Sequence, residues 1–244
     1  MKGLVLPALL LGLAEIGARA HGDSDAVAPP SRVVVAFAEA LGDGSLLTAT
    51  RDTLICAFAG LAVGASLGLA MGVLLGSSRA LDRLFELPVE LFRPIPSVAV
   101  IPVALVALGF GYKLEIAIVA FACIWPMLIF TRAGVAGVEP RLLEVARALR
   151  LTPWRTVVKI VAPAALPRIF VAFRLAAGVA LIVAVTVEIA VNPQGLGAAL
   201  MTASQALRPD LTLAFLVWVG CVGFALNQGM VFAQARLFGR HTPR

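Results

Sequence analysis

Residues 53–78 read TLICAFAGLAVGASLGLAMGVLLGSS, 26 consecutive positions without a charged side chain. A helix needs about 20 mostly apolar residues to cross the hydrocarbon core of a bilayer, and this stretch is longer than that. Its apolar residues run continuously, whereas a strand of a membrane barrel would alternate. Gly60, Gly64, Gly68, Gly72 and Gly76 recur at a spacing of four and therefore share one helix face. Apolar burial gives little driving force between helices in lipid, and small residues let two backbones approach closely. The glycine row reads first as a packing seam inside the chain and second as a face between two copies.

Working outward, further charge-poor runs complete a set of about six spans, at roughly 3–19, 53–76, 95–110, 114–131, 169–191 and 211–233. Only 14% of the 244 residues are charged and 60% are hydrophobic, with a mean hydropathy of +0.97. Soluble domains carry about 25% charged residues, so a soluble enzyme, a disordered chain and a disulfide-stapled domain are all excluded. The expected fold class is an all-α membrane protein. The first segment also resembles a signal peptide ending at Ala18-Arg19-Ala20, and either reading leaves the other five spans unchanged. With the N-terminus inside, fifteen of the twenty basic residues fall on the cytoplasmic side. Arg19, Arg32, Arg51, Lys113 and Arg208 alone lie opposite. That bias predicts two cytoplasmic termini. The net charge of +6 then reflects topology and contact with anionic membrane lipids, with no nucleic-acid partner.

Absent motifs narrow the function. Lysine stands only at 2, 113 and 159 and never follows glycine, so the chain has no P-loop. His21 and His241 lie in terminal segments, which leaves no histidine for metal or acid–base chemistry in the spans. Cys56, Cys123 and Cys221 fall within spans and read as small hydrophobes. Neither a catalytic residue nor a metal site is expected. Glu188 is an acid inside the fifth span, and such a residue is a functional candidate by default. Followed by Asn192-Pro193-Gln194, it could pair with a basic group, hydrogen-bond a neighbouring helix, or face a translocation path together with Asn192. Gly195-Leu196-Gly197 breaks the chain before a partly re-entrant outer segment at 198–207. The runner-up function at this point is an autonomous secondary carrier or channel that uses Glu188.

The 37 residues at 132–168 form a hydrophilic insertion in a chain whose other cytoplasmic segments are short. Pro140 suits the first turn of a short helix, with Leu142, Val145 and Leu149 on one face and Arg141, Glu144 and Arg147 largely on another. Thr152-Pro153 provides a cap and first-turn proline for a second helix, which Pro163 and Pro167 are expected to stop. A basic helix-turn-helix with an apolar stripe suits docking into a groove on a partner; a solvated loop is the plainer reading.

Glu144-Val145-Ala146, followed by Arg150, Ile160 and Pro163, resembles the EAA loop of permease subunits of binding-protein-dependent ABC importers. Val145 replaces an alanine of that pattern, Arg150 its glycine and Ala162 its leucine. LFRPIPSVAVIP (91–102), VEPRLLEVARAL (138–149), APAALP (162–167) and VEIAVNPQGLG (187–197) resemble the nitrate/sulfonate/taurine branch. The resemblance implies a type I importer permease fold and a bacterial inner-membrane location. It divides the chain into an N-terminal helix and external segment (1–50), a permease core (51–235) and a cytoplasmic tail (236–244). It also implies a second permease copy, an external or periplasmic solute-binding protein, and cytoplasmic ABC ATPase subunits. Those subunits would bind ATP and magnesium, leaving this chain without a cofactor. Docking would fall on Glu144 and Ala146, with Val145, Arg147 and Arg150 beside them. Glycine at 150 would turn easily in the left-handed conformation, so arginine there is expected to end the helix another way.

Overall fold

The computed structural model describes residues 5–20 and 28–238. Lys2, His21, Arg240, His241 and Arg244 lie outside the described residues, as does the tail beyond 238. Helices account for every regular element among the described residues. They are α1 (Val5–Ala20), α2 (Pro30–Gly42), α3 (Ser45–Ser77), α4 (Arg79–Phe92), α5 (Ile101–Leu108) and α6 (Tyr112–Ala136), then α7 (Pro140–Ala148), α8 (Pro153–Thr156), α9 (Ala162–Ala190), α10 (Leu196–Gln205) and α11 (Pro209–Phe238).

Among the described residues, four helical stretches are long and apolar enough to cross a membrane: Ser45–Ser77, Tyr112–Ala136, Pro153–Ala190 and Pro209–Arg236. A fifth arises only if α4 and the segment Ser97–Leu108 are counted together, and these meet at an 84° bend. Five of the six expected spans correspond to these four stretches and the bent pair, and the first, at 3–19, begins outside the described residues. The expected span at 95–110 is broken because Pro94 and Pro96 fix φ and withhold two backbone N–H groups. After them come only a 3₁₀ turn, Ser97–Val100, and the eight residues of α5. Gly109 and Gly111, at φ +71° and +104°, then reverse the chain into α6. The α1 helix has 16 residues, about 24 Å at 1.5 Å per residue, against a core of about 30 Å.

Two compact units are distinguished. The first comprises Met1–Ile55 and Val185–Phe224. Its core gathers Ala40, Leu46, Ala49, Leu196 and Phe215. Phe37 meets Trp218 edge-on at 5.6 Å, and the Trp218 indole N–H donates to Thr50 Oγ1 at 2.7 Å. Here Glu15 of α1 receives both the backbone N–H (3.0 Å) and the hydroxyl (2.7 Å) of Ser31, so an acid on one apolar helix caps the start of α2. Asp43 opens α3 in the same way by accepting from the Ser45 backbone N–H at 2.8 Å. That bond, followed by one from the Ser45 hydroxyl, holds the Asp43 carboxyl below its ordinary range. The stabilisation it lends is present at neutral pH and is lost as pH falls through the lowered value.

The second unit comprises Cys56–Ala184 and Ala225–Arg244. Its organising contact is the glycine face of α3 against α6. A methyl group on Gly60 would lie 2.6 Å from Val119 Cβ, and one on Gly72 would lie 2.6 Å from Thr131 Cβ. On Gly68 it would lie 2.5 Å from the Ile124 carbonyl oxygen, and on Gly76 2.8 Å from that of Arg132. On Gly64 it would run into the Ala120 carbonyl. The glycine row is thus a seam within the chain. Arg132, near the end of α6, pairs with Asp82 in the first turn of α4 at 2.8 Å, and Arg174 on α9 donates twice to Asn227 Oδ1 at 3.0 and 3.2 Å.

Candidate functional site

Two groups of residues singled out in the sequence lie in different units, and each is built by its own local chemistry. The first is the segment from α7 into α8. With Pro140 in its first turn, α7 turns Ala146 inward (3% exposed), and Leu143 packs with the cluster of Val135, Val138, Val161 and Ala165. Glu144, Val145, Arg147 and Arg150 are exposed. Leu142, Val145 and Leu149 are left uncovered as well, and Trp154 beyond them is 75% exposed. The apolar stripe read from the sequence is therefore not used in this chain's own core. Ala146 is used there, and its small side chain lets α7 lie close to its own unit.

The turn after α7 corrects the reading of Arg150. Arg150 takes the left-handed conformation itself, at φ +50°. Its N–H reaches the Arg147 carbonyl at 3.0 Å, and the Leu151 N–H reaches that of Ala146 at 3.0 Å. These are the two bonds of a Schellman ending, usually built on glycine. A side chain in this conformation costs about 1–2 kcal/mol, and the two bonds offset it. We predict that Arg150→Gly stabilises the turn by about 0.5–1 kcal/mol after glycine's greater freedom in the unfolded chain is subtracted. Slower hydrogen exchange at the Leu151 amide would register this, and unchanged or faster exchange would contradict it.

A second correction concerns the prolines. The helix that begins at Thr152, whose hydroxyl accepts from the Arg155 N–H at 3.4 Å, does not stop at Pro163. Residues Val157–Val161 form a π turn in which the Ala162 N–H bonds back to Val157, five residues earlier. The wider turn resets the ladder so that Pro163 falls in the first turn of α9, where no N–H is needed. Pro167 is carried inside α9. The insertion is therefore α7, one turn, and the extended foot of a long helix.

The second group surrounds Glu188. This acid is buried on α9, and its Oε2 accepts from the Gly197 backbone N–H at 2.7 Å. The neighbouring Leu196 N–H donates to Thr53 Oγ1 at 2.8 Å. Two otherwise orphaned donors in the first turn of α10 are thus satisfied by side chains of other helices. Gly195 stands at φ +96°, and its α-carbon lies so close that any side chain there would collide with the Glu188 carboxylate. Asn192 is buried nearby in the sequence, on the link to α10. Glu188→Gln keeps an acceptor for Gly197, whereas Glu188→Ala leaves that N–H buried without one, at a cost of about 1–3 kcal/mol. We expect thermal unfolding to spare the glutamine variant and lower the alanine variant. Equal midpoints for alanine and wild type would exclude the cap as a stabilising contact.

Sequence reasoning missed three participants. Thr53 carries no local signal for a contact 143 residues away. Glu115, buried in the first turn of α6, lies within the span expected at 114–131 but carried no reading of its own. A cavity of about 370 Å³ in the second unit, lined by Arg93, Ser97 and Trp125 among others, was also not anticipated.

Comparison with known proteins places this geometry. Residues 64–240 match the family model described as "Binding-protein-dependent transport system inner membrane component". A Bacillus subtilis (strain 168) protein named as the aliphatic sulfonates transport permease SsuC is 30% identical over 91% of this chain and 81% of its own. The nitrate import permease NrtB of Synechocystis sp. is 32% identical over 72% of this chain and 64% of its own. Among solved structures, an inward-facing form of the MetNI methionine ABC transporter aligns over 76% of this chain and 92% of its own. Its TM-score is 0.68 at 21% identity, a likeness of fold.

Proposed function

The chain belongs to the family of binding-protein-dependent transport system inner membrane components, and from that premise we propose that it carries a small oxyanion as one of two identical permease subunits. As a family member it is a multi-pass inner-membrane permease of an ATP-driven importer, working with an ATPase and a solute-binding protein. The cargo reading rests on the relatives, one named for aliphatic sulfonates and another for nitrate. Taurine, itself a sulfonate, falls in the same chemical class.

The observation that carries the coupling reading is the uncovered stripe of Leu142, Val145 and Leu149 beside Glu144, Arg147 and Arg150. An apolar stripe left out of its own core is what a groove on a partner would bury. We assign it to the ATPase subunit, which binds ATP and magnesium and whose closure moves the α7 segment. On this reading α7 and both chain termini lie on the cytoplasmic side, in keeping with the basic-residue bias. Glu188 and Asn192 keep a part in gating to the extent that α10 moves on α9.

The test is uptake of labelled ethanesulfonate or nitrate into proteoliposomes holding the assembled importer, with and without internal ATP. Uptake that requires ATP and the binding protein is expected. Flux driven by an ion gradient through this chain alone would instead establish the secondary-carrier reading.

A further inference from the structure

The second unit contains a cavity of about 370 Å³. A water molecule's share of liquid volume is about 30 Å³, so the space holds on the order of ten waters, or a small solute with part of its hydration shell. It is walled by α6, by Val179 of α9, and by the elbow between α4 and the Ser97–Val100 turn. The seam with α3 uses Val119, Ala120, Cys123 and Thr131 of α6. The cavity uses a different face, with Phe121, Trp125 and Ile129 at steps of four.

Its polar chemistry is one-sided. Arg93 supplies a guanidinium and Ser97 a hydroxyl, while Trp125 lines the space with its ring. No acidic side chain is among the described residues that line it. Arg93 has no carboxylate partner among the described residues. The Trp125 Nε1 is shielded from solvent and meets no acceptor among them. That N–H is closed off from the cavity too, so the space is served by the guanidinium and the hydroxyl. Pro94 and Pro96 hold the Arg93–Ser97 segment stiff, so these donors are presented without much ordering on binding. Phe121 packs edge-on to Trp125 at 5.6 Å, which fixes the indole and leaves an aromatic wall for an alkyl group.

We propose that this cavity is a transit site for the oxyanion head of the cargo, with Arg93 and Ser97 as its donors and Phe121, Trp125 and Phe130 facing the apolar part. The assignment rests on the oxyanion reading above and adds to it a place in the permease itself. A guanidinium binds a planar or tetrahedral oxyanion through paired N–H bonds, which an ammonium cannot reproduce. Selectivity is thus imposed a second time inside the membrane subunit, after the binding protein.

The assembled importer provides the test, with ethanesulfonate as probe. Arg93→Gln should raise the KM for ethanesulfonate uptake about tenfold, the scale of a lost hydrogen bond to a charged group. Arg93→Lys should recover only part of this. Independently, Ser97→Cys in a Cys221→Ala background should be alkylated by a sulfonate-bearing thiol reagent and protected by ethanesulfonate in lipid-free detergent. An unchanged KM in Arg93→Gln, or labelling that ethanesulfonate does not slow, overturns the transit site while wild-type uptake upholds the oxyanion reading. Protection by anionic phospholipid but not by ethanesulfonate assigns the donors to a lipid phosphate and likewise overturns it. Wild-type uptake of neither ethanesulfonate nor nitrate overturns the cargo reading, and the site with it.

Discussion

Leu142→Asp combined with Leu149→Asp should abolish ATP-driven uptake while the chain still inserts and unfolds near its normal temperature. Leu149 is 65% and Leu142 38% exposed in this chain, so aspartate there disturbs little internal packing and mainly adds surface charge. In a groove on the ATPase each leucine would contribute about 1.5–3 kcal/mol on full burial. Because both are already partly covered, losing the two weakens docking by about 2–3 kcal/mol, more than tenfold in association. Placing two uncompensated carboxylates in an apolar groove adds to this.

Glu144→Lys is the charge counterpart. If Glu144 meets an arginine of the ATPase, reversal replaces a charge-assisted pair with a repulsion, worth about 2–5 kcal/mol when the pair is buried. Transport should fall with insertion intact, and exchanging the partner's arginine for glutamate should restore part of it. Cross-links from residues 144–150 should capture the ATPase subunit in the wild type and not in the double aspartate variant. Full transport by the double variant would remove this face from the coupling role, and loss of insertion would show instead that the stripe is needed for the fold.

The helical class and the seam were legible because both rest on short-range periodicity: charge-free runs longer than 20 residues, and glycines four apart. What escaped depends on how distant segments meet. The break at Gly195-Leu196-Gly197 could be read, but that Glu188 would close it required the chain to reverse over Pro193 and bring position 197 back to 188. Thr53 required a second helix to arrive from 143 residues away. Two local rules were also overridden. Arginine at 150 was expected to avoid a glycine conformation, yet two backbone bonds hold it there. Pro163 was expected to end a helix, yet one π turn upstream moved it to where a missing N–H costs nothing. The apolar stripe of α7 was correctly placed on one face, but which face the chain keeps for itself was not readable: Leu143 and Ala146 turn inward while Leu142 and Val145 do not.

Gly64→Ala should be the most damaging single methyl group on the glycine face of α3. On α3 the added carbon is directed at the Ala120 carbonyl and toward Cys123 Cβ at 2.8 Å. A flexible side chain could swing away, but a backbone carbonyl committed to the α6 ladder cannot move without dragging the helix with it. Relief would require α3 and α6 to separate along the whole glycine row, because Gly60, Gly68, Gly72 and Gly76 share the contact. Overpacking of this kind typically costs 1–3 kcal/mol, and the shared seam puts the expected value near the top, about 2–3 kcal/mol. For a chain of this size that is about 5–10 °C in the thermal midpoint. Gly178→Ala on α9 is the control, since nothing lies within 4 Å of a carbon added there. There the change removes only glycine's penalty in a helix, about 0.8–1 kcal/mol, and should raise the midpoint. The same substitution in two helices thus has opposite expected signs, decided by whether another backbone faces the glycine. Equal shifts at 64 and 178, measured on purified protein in one detergent, would mean that the seam is not closely packed. Opposite shifts would place its close approach among the contacts that set this fold's stability, since neither substitution alters charge or polarity.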